Sequence, residues 1–168
     1  MTIDFILLMG VSGSGKTAIG KPLAEKLGWH FFDGDYFHPP ENYAKMANGI
    51  PLNDNDRHSW LLSLNQLITN CQKLGMKGVL ASSALKEKYR TTLVKGTTNL
   101  KVVYLKGDYD LILKRVSQRQ GHFMQPNMLA SQFAILEEPE DAIVVEVDQT
   151  IEAIIDEIMV SLSQANEE

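Results

Sequence analysis

With 168 residues, 44% of them hydrophobic and 22% charged, the chain has the size and composition of one globular domain with a proper core. A formal net charge of -5, without any run of Lys and Arg, argues against a partner nucleic acid or anionic membrane, both of which are gripped by neutralising phosphates. Phe5–Met9, the longest uninterrupted apolar stretch, is far too short to span a bilayer and lacks signal-peptide flanks, and Cys71 as the only cysteine excludes an internal disulfide; the expected compartment is the cytoplasm.

In chain order, Ile3–Met9 is a nearly continuous apolar run, as a central strand covered on both faces requires. A helix is expected from about Gly15, with Ile19, Leu23 and Leu27 on one side and Gly28 as its stop; Pro22 inside it removes one backbone hydrogen bond and predicts a kink. His30–Asp33, Val79–Ser83, Leu100–Leu105 and Asp141–Val147 read as four further strands. Between them Trp60, Leu61, Leu64, Ile68 and Cys71 recur at helical spacing, and Ile151, Ile154, Ile155, Ile158 and Leu162 form a last apolar face. Strands alternating with helices predict a five-stranded parallel sheet in a three-layer α/β/α fold, in one domain spanning residues 1–168.

Gly10-Val11-Ser12-Gly13-Ser14-Gly15-Lys16-Thr17 fits G-x-x-x-x-G-K-S/T in full, and it lies between a strand and a helix, where the chemistry needs it. Its glycines let successive N–H groups curl inward towards phosphate oxygens, and the helix start adds unpaired donors. Lys16 is expected at the β- and γ-phosphates and the Thr17 hydroxyl on Mg²⁺, so ATP and Mg²⁺ are the expected ligands. Gly10, Ser12, Gly13, Ser14 and Gly15 complete the nucleotide loop.

After the second strand, Asp33 and Asp35 stand two apart at the carboxyl end of a parallel strand, the side on which such sheets bind ligands. Asp33 would hold Mg²⁺ through water, and Asp35 would accept a hydrogen bond from an attacking hydroxyl. An Asx-turn with Asp35 as a helix N-cap explains the same pair equally well. Arg57 opens an amphipathic helix against its macrodipole, which calls for an anion: either Asp54 and Asp56 or the carboxylate of a substrate. Asn42 and Lys45 read as surface groups. The third strand ends in Ala81-Ser82-Ser83 where P-loop proteins often carry an Asp, which moves the metal to Thr17 and Asp33 and frees the serines for a substrate. Lys86 and Arg90 lie four apart on the next helix. Tyr109–Leu129 reads as a helix running into a lid over about 117–130, with Arg115 and Arg119 over the triphosphate, a reading preferred to a basic helix end that merely complements its own dipole.

Together "LMGVSGSGKT", "DGDYFHP", "NYAKMANGIPLNDNDRHSWL", "SSALKEKYR", "VVYLKG", "RQGHFM" and "SQFAILEEP" resemble the gluconokinase family, in the shikimate-kinase-like branch of P-loop kinases. The resemblance implies ATP-dependent phosphorylation of the 6-hydroxyl of D-gluconate, and a homodimer. It carries Gly13, Gly15, Lys16 and Thr17 to nucleotide and metal, Asp33 and Asp35 to the acidic pair, Arg57 to the substrate side, and Arg115 and Arg119 to the lid. Lys16, Asp35 and Arg119 are the expected catalytic groups; His38, Ser82, Arg90 and His122, within the matching segments, join Asp35 and Arg57 on the acceptor side. The departures are small: Thr17 for the usual serine, Ser59 where proline is common, and Ser82 where cysteine or glycine often sits.

Overall fold

The computed structural model describes residues 2–118 and 126–168. Its centre is β1 (Phe5–Met9), buried along its whole length. Phe5, Leu7 and Met9 enter one core cluster and Ile6 and Leu8 the other, so the pleat distributes a continuous apolar run to both faces of the sheet. The remaining strands are β2 (His30–Asp33), β3 (Gly78–Ala81), β4 (Leu100–Lys106) and β5 (Ile143–Glu146). They lie in the order β2-β3-β1-β4-β5, every neighbouring pair parallel. The register pairs Asp33 with Ala81 and Leu8 with Ala81, which brings the carboxyl ends of β1, β2 and β3 to one edge.

Seven α-helices are formed among the described residues. On one face α1 (Lys16–Leu27), α5 (Tyr109–Gln118), α6 (Pro126–Ile135) and α7 (Ile151–Glu167) pack Leu23, Ile112, Leu129 and Ile158 onto the sheet. On the other, α3 (Asp54–Lys73) and α4 (Glu87–Val94) contribute Trp60, Leu64, Ile68, Tyr89 and Leu93. The short α2 (Pro40–Ala47) stands beyond β2, after a 3-10 turn over Gly34–Phe37. The expected three layers and five parallel strands are therefore present.

Two features differ from expectation among the described residues. Helix α1 runs unbroken through Pro22; the carbonyl that loses its donor belongs to Ala18, an exposed residue that water reaches. Of the helix expected over Tyr109–Leu129, the structure describes α5 (Tyr109–Gln118) and the start of α6, which continues to Ile135; residues 119–125, within the lid expected over about 117–130, lie outside the described residues. Strand β5 shortens to Ile143–Glu146 because it pairs on one side only, leaving Val144 exposed.

Candidate active site

A cavity of about 530 Å³ opens at the carboxyl edge of the sheet. Its first wall is the loop from β1 to α1, with Ser12, Gly13, Gly15, Lys16 and Thr17 facing inward. Gly13 sits at φ +84°, and a Cβ there would fall 2.4 Å from Cγ2 of Val116 on α5. Only glycine allows both the left-handed turn and that close approach. The Lys16 ammonium donates to the Gly10 carbonyl (2.9 Å) and the Val11 carbonyl (3.0 Å), folded back over its own loop. Burial lowers its pKa from the ordinary lysine range, while Asp35 and then Asp33 oppose that shift. Ser14 departs from the expected phosphate contact: its hydroxyl is buried without a described partner, packed behind the loop against Gly10, and its N–H is bonded to the Val11 carbonyl.

The second wall follows β2. Asp33 does two things at once. Its Oδ1 accepts from the Asp35 N–H (3.0 Å), capping the 3-10 turn, while its Oδ2 lies 3.4 Å from the Thr17 hydroxyl. The Asx-turn is thus real, but Asp33 rather than Asp35 makes the cap, and this frees the Asp35 carboxylate to line the cavity. Tyr43 of α2 donates its hydroxyl to the Asp35 carbonyl and steadies that turn. Gly34 is required where the turn passes β3, since a Cβ would lie 2.7 Å from the Ala81 carbonyl oxygen.

The far end of the cavity holds Arg57, which is 8% exposed. It is the fourth residue of α3, behind a capping box formed by Asn53 and Asp56. Its two candidate aspartates are engaged elsewhere. Asp54 binds Lys86 (3.2 Å), Lys88 and the Tyr89 hydroxyl, and Asp56 binds Lys45 (2.9 Å). Lys88 first, then Tyr89 and Lys86, hold the Asp54 carboxyl well below the usual range. Arg57 instead donates to the Tyr89 hydroxyl (3.0 Å) and lies over that ring, 5.3 Å from its centroid. Among the described residues no carboxylate pairs with it. The local-aspartate reading of Arg57 fails, and the residue is left lining the cavity.

His38 completes this end. It stacks on Trp60 with ring centroids 4.2 Å apart and a 15° tilt. Burial, then the charge of Arg57, pushes its pKa down to about 4, so the ring is neutral at pH 7. The Asn42 amide nitrogen donates to the Asp56 carbonyl (2.8 Å), which fixes its orientation, and the same nitrogen lies 3.1 Å from His38 Nδ1. Nδ1 is therefore the acceptor and Nε2 carries the proton. Asn42, expected at the surface, is 2% exposed because it orients this ring.

Other expected residues fall elsewhere. Arg90 does not face the cleft: buried, it donates to the carbonyls of Ala84 (2.7 Å) and Glu137 (2.8 Å) and pairs with Glu87 (3.0 Å), tying α4 to the chain after α6. Lys86 is the N-cap of α4, which begins at Glu87, and its ammonium pairs with Asp54. Ser82 is fully buried, its hydroxyl without a partner among the described residues, and Ser83 takes the place at the cavity wall. Arg115 donates to the Val147 carbonyl (2.7 Å) beyond β5 and does not line the cavity. Arg119 and His122 lie outside the described residues. Sequence reasoning missed Tyr43, Tyr89 and Gln132; the last lies in the quoted segment "SQFAILEEP", which carried a signal but no role.

A phosphate-binding loop and a cavity floored by an acidic turn, with a buried arginine opposite, define a P-loop kinase that acts on a small anionic acceptor. A family model described as shikimate kinase matches residues 12–163. A probable gluconokinase of Mus musculus is 45% identical, over 94% of this chain and 96% of its own length. The thermoresistant gluconokinase of Escherichia coli K12 is 45% identical, over 89% and 87%. The crystal structure of a gluconokinase from Sinorhizobium meliloti 1021 superposes with a TM-score of 0.90 at 36% identity, covering 99% of this chain and 96% of that one. The chain belongs to the gluconokinase family, within the shikimate-kinase-like group.

Proposed function

We propose that this chain transfers the γ-phosphoryl group of ATP to the 6-hydroxyl of D-gluconate, giving 6-phospho-D-gluconate and ADP. The observation that carries the acceptor half is Arg57: buried, cationic, lining the cavity, and without a carboxylate partner among the described residues. A sugar acid supplies that carboxylate together with hydroxyls for a neutral His38 and for Ser83. The relatives named above are a probable gluconokinase and two gluconokinases, which favours gluconate among sugar acids.

The chemistry asks for positioning more than for covalent help. The acceptor oxygen attacks the γ-phosphorus in line, the bond to the β-γ bridging oxygen breaks, and ADP leaves. Arg57 holds the carboxylate while Asp35 accepts a hydrogen bond from the reacting hydroxyl and draws on its proton. The phosphates displace the Gly10 and Val11 carbonyls from Lys16, whose ammonium then meets the charge growing on the transferred group. Thr17 and Asp33 offer neighbouring oxygen donors of the hard type that Mg²⁺ prefers, so they fit the ion, Thr17 directly and Asp33 through water. Bound there, Mg²⁺ would neutralise phosphate charge.

A homodimer, a cytoplasmic location and a single domain with its acceptor segment over about 36–75 belong to the same proposal. A homodimer follows from the family resemblance, and sedimentation velocity measures it. No described helix is long and apolar enough to cross a membrane. ADP release over a panel of sugar acids, with shikimate as control, tests the substrate. Gluconate is expected to give the highest kcat/KM, and a higher value for shikimate or another aldonate would overturn the assignment.

A further inference from the structure

One helix touches both halves of this cavity. At its start, Asn127 of α6 donates to the Gly49 carbonyl (2.8 Å) in the connection between α2 and α3, on the acceptor side. Two residues further on, Leu129 is fully buried, which anchors the helix in the core. Gln132 then reaches the phosphate loop: its Oε1 accepts from the Ser12 N–H (2.8 Å), and its Nε2 lies 3.3 Å from the Ser12 hydroxyl. The carboxamide oxygen thus occupies a backbone donor of the phosphate loop, and Ser12 and Gln132 both line the cavity.

We propose that Gln132 recognises the terminal phosphoryl group of the donor; the proposal rests on the kinase reading above. A phosphate oxygen that takes the Ser12 N–H turns the carboxamide off it. The helix stays, held by Asn127 and Leu129, so the side chain remains at the loop. An amide nitrogen has two hydrogens, and the turned group has one to give to the new oxygen. The phosphoryl group in question is the terminal one, because Gln132 shares its cavity with Asp35 and Arg57, and only the γ-group faces the acceptor. Gln132 therefore distinguishes a triphosphate from a diphosphate and helps align the group that moves.

Calorimetric binding of AMPPNP and of ADP, each with Mg²⁺ and without acceptor, tests this. Gln132→Glu keeps an oxygen for Ser12 but replaces the donor by an anion. It is expected to weaken AMPPNP about tenfold or more while changing ADP by no more than about threefold. Gln132→Ala is expected to act in the same direction, and in turnover to lower kcat with little change in the acceptor KM. Equal losses for the two nucleotides would overturn the proposal, as would tighter binding of both, since the contact would then only compete with phosphate. Acceptor identity does not enter these titrations. A wild type that binds AMPPNP but leaves gluconate unphosphorylated would overturn the gluconate assignment alone, and Gln132 would still be judged on the binding ratio.

Discussion

Arg57→Ala removes the one cation at the acceptor end of the cavity among the described residues. The side chain is 8% exposed, so a carboxylate bound to it is largely shielded from water. Truncating one partner of such a charge-assisted pair costs about 3 kcal/mol, which is about a hundredfold in affinity. The fold itself loses the bond to Tyr89, worth about 1 kcal/mol, and Tyr89 keeps Asp54 as a partner. The expected result is a KM for gluconate raised about a hundredfold at saturating ATP, with the KM for ATP nearly unchanged. The assay is ADP release with each substrate varied in turn, together with a melting curve to verify folding. Gluconamide, which lacks the charge, supplies an internal control: the variant and the wild type should use it with similar efficiency. A KM for gluconate within about threefold of wild type, or an effect confined to ATP, would refute the reasoning that Arg57 awaits a substrate carboxylate.

Asp35→Asn preserves the shape of the turn and removes the proton acceptor, so turnover should fall about a hundredfold or more while calorimetric ATP binding persists; near-normal turnover would remove Asp35 from the chemistry. His38 has a folded-state pKa near 4, below its unfolded value, so the unfolded chain binds more protons between about pH 4 and 6.5 and stability declines as pH falls through that window. Urea unfolding should show the loss, at most about 3 kcal/mol, and His38→Asn should flatten it; an unchanged pH profile in the variant would contradict the assignment. Gly13→Ala places a methyl against Val116 at a left-handed φ, and a drop in stability of about 1–3 kcal/mol with weakened nucleotide binding is expected by thermal melting and titration. Arg90→Met should lower the melting temperature through three lost bonds yet leave the gluconate KM alone; a KM effect at unchanged stability would return Arg90 to the acceptor site.

Local patterns carried much of this protein. The phosphate loop is legible because its glycines, lysine and threonine must be consecutive for the backbone to curl round phosphate, and because a strand and a helix must flank it. The sheet is legible because β1 is apolar at every position, which only a strand covered on both faces tolerates. Asp33 and Asp35 announced themselves by standing at a strand's carboxyl end, yet which of the two caps the turn is a matter of backbone direction that composition does not encode. Arg57 is a sharper case. Spacing offered Asp54 and Asp56 as partners with equal force; Lys45, Lys86 and Lys88, distant along the chain, claim those carboxylates and leave the arginine to the cavity.

Where the chain alone misled, the missing information was the packing of elements far apart in sequence. Arg90 and Ser82 have the right chemistry for a substrate contact, but α4 and the end of β3 turn them into the interior. Asn42 reads as a surface amide until α3 brings the Asp56 carbonyl to it, and with that bond the tautomer of His38 is set. Gln132 meets Ser12 across 120 positions of chain, a distance no local pattern spans. The sequence by itself determined the donor loop, the parallel sheet and the acidic turn, because each depends on residues within a few positions of one another. Only the tertiary structure decided which charges are spent on the fold and which remain for a substrate, because that depends on what the other elements bring to the same place.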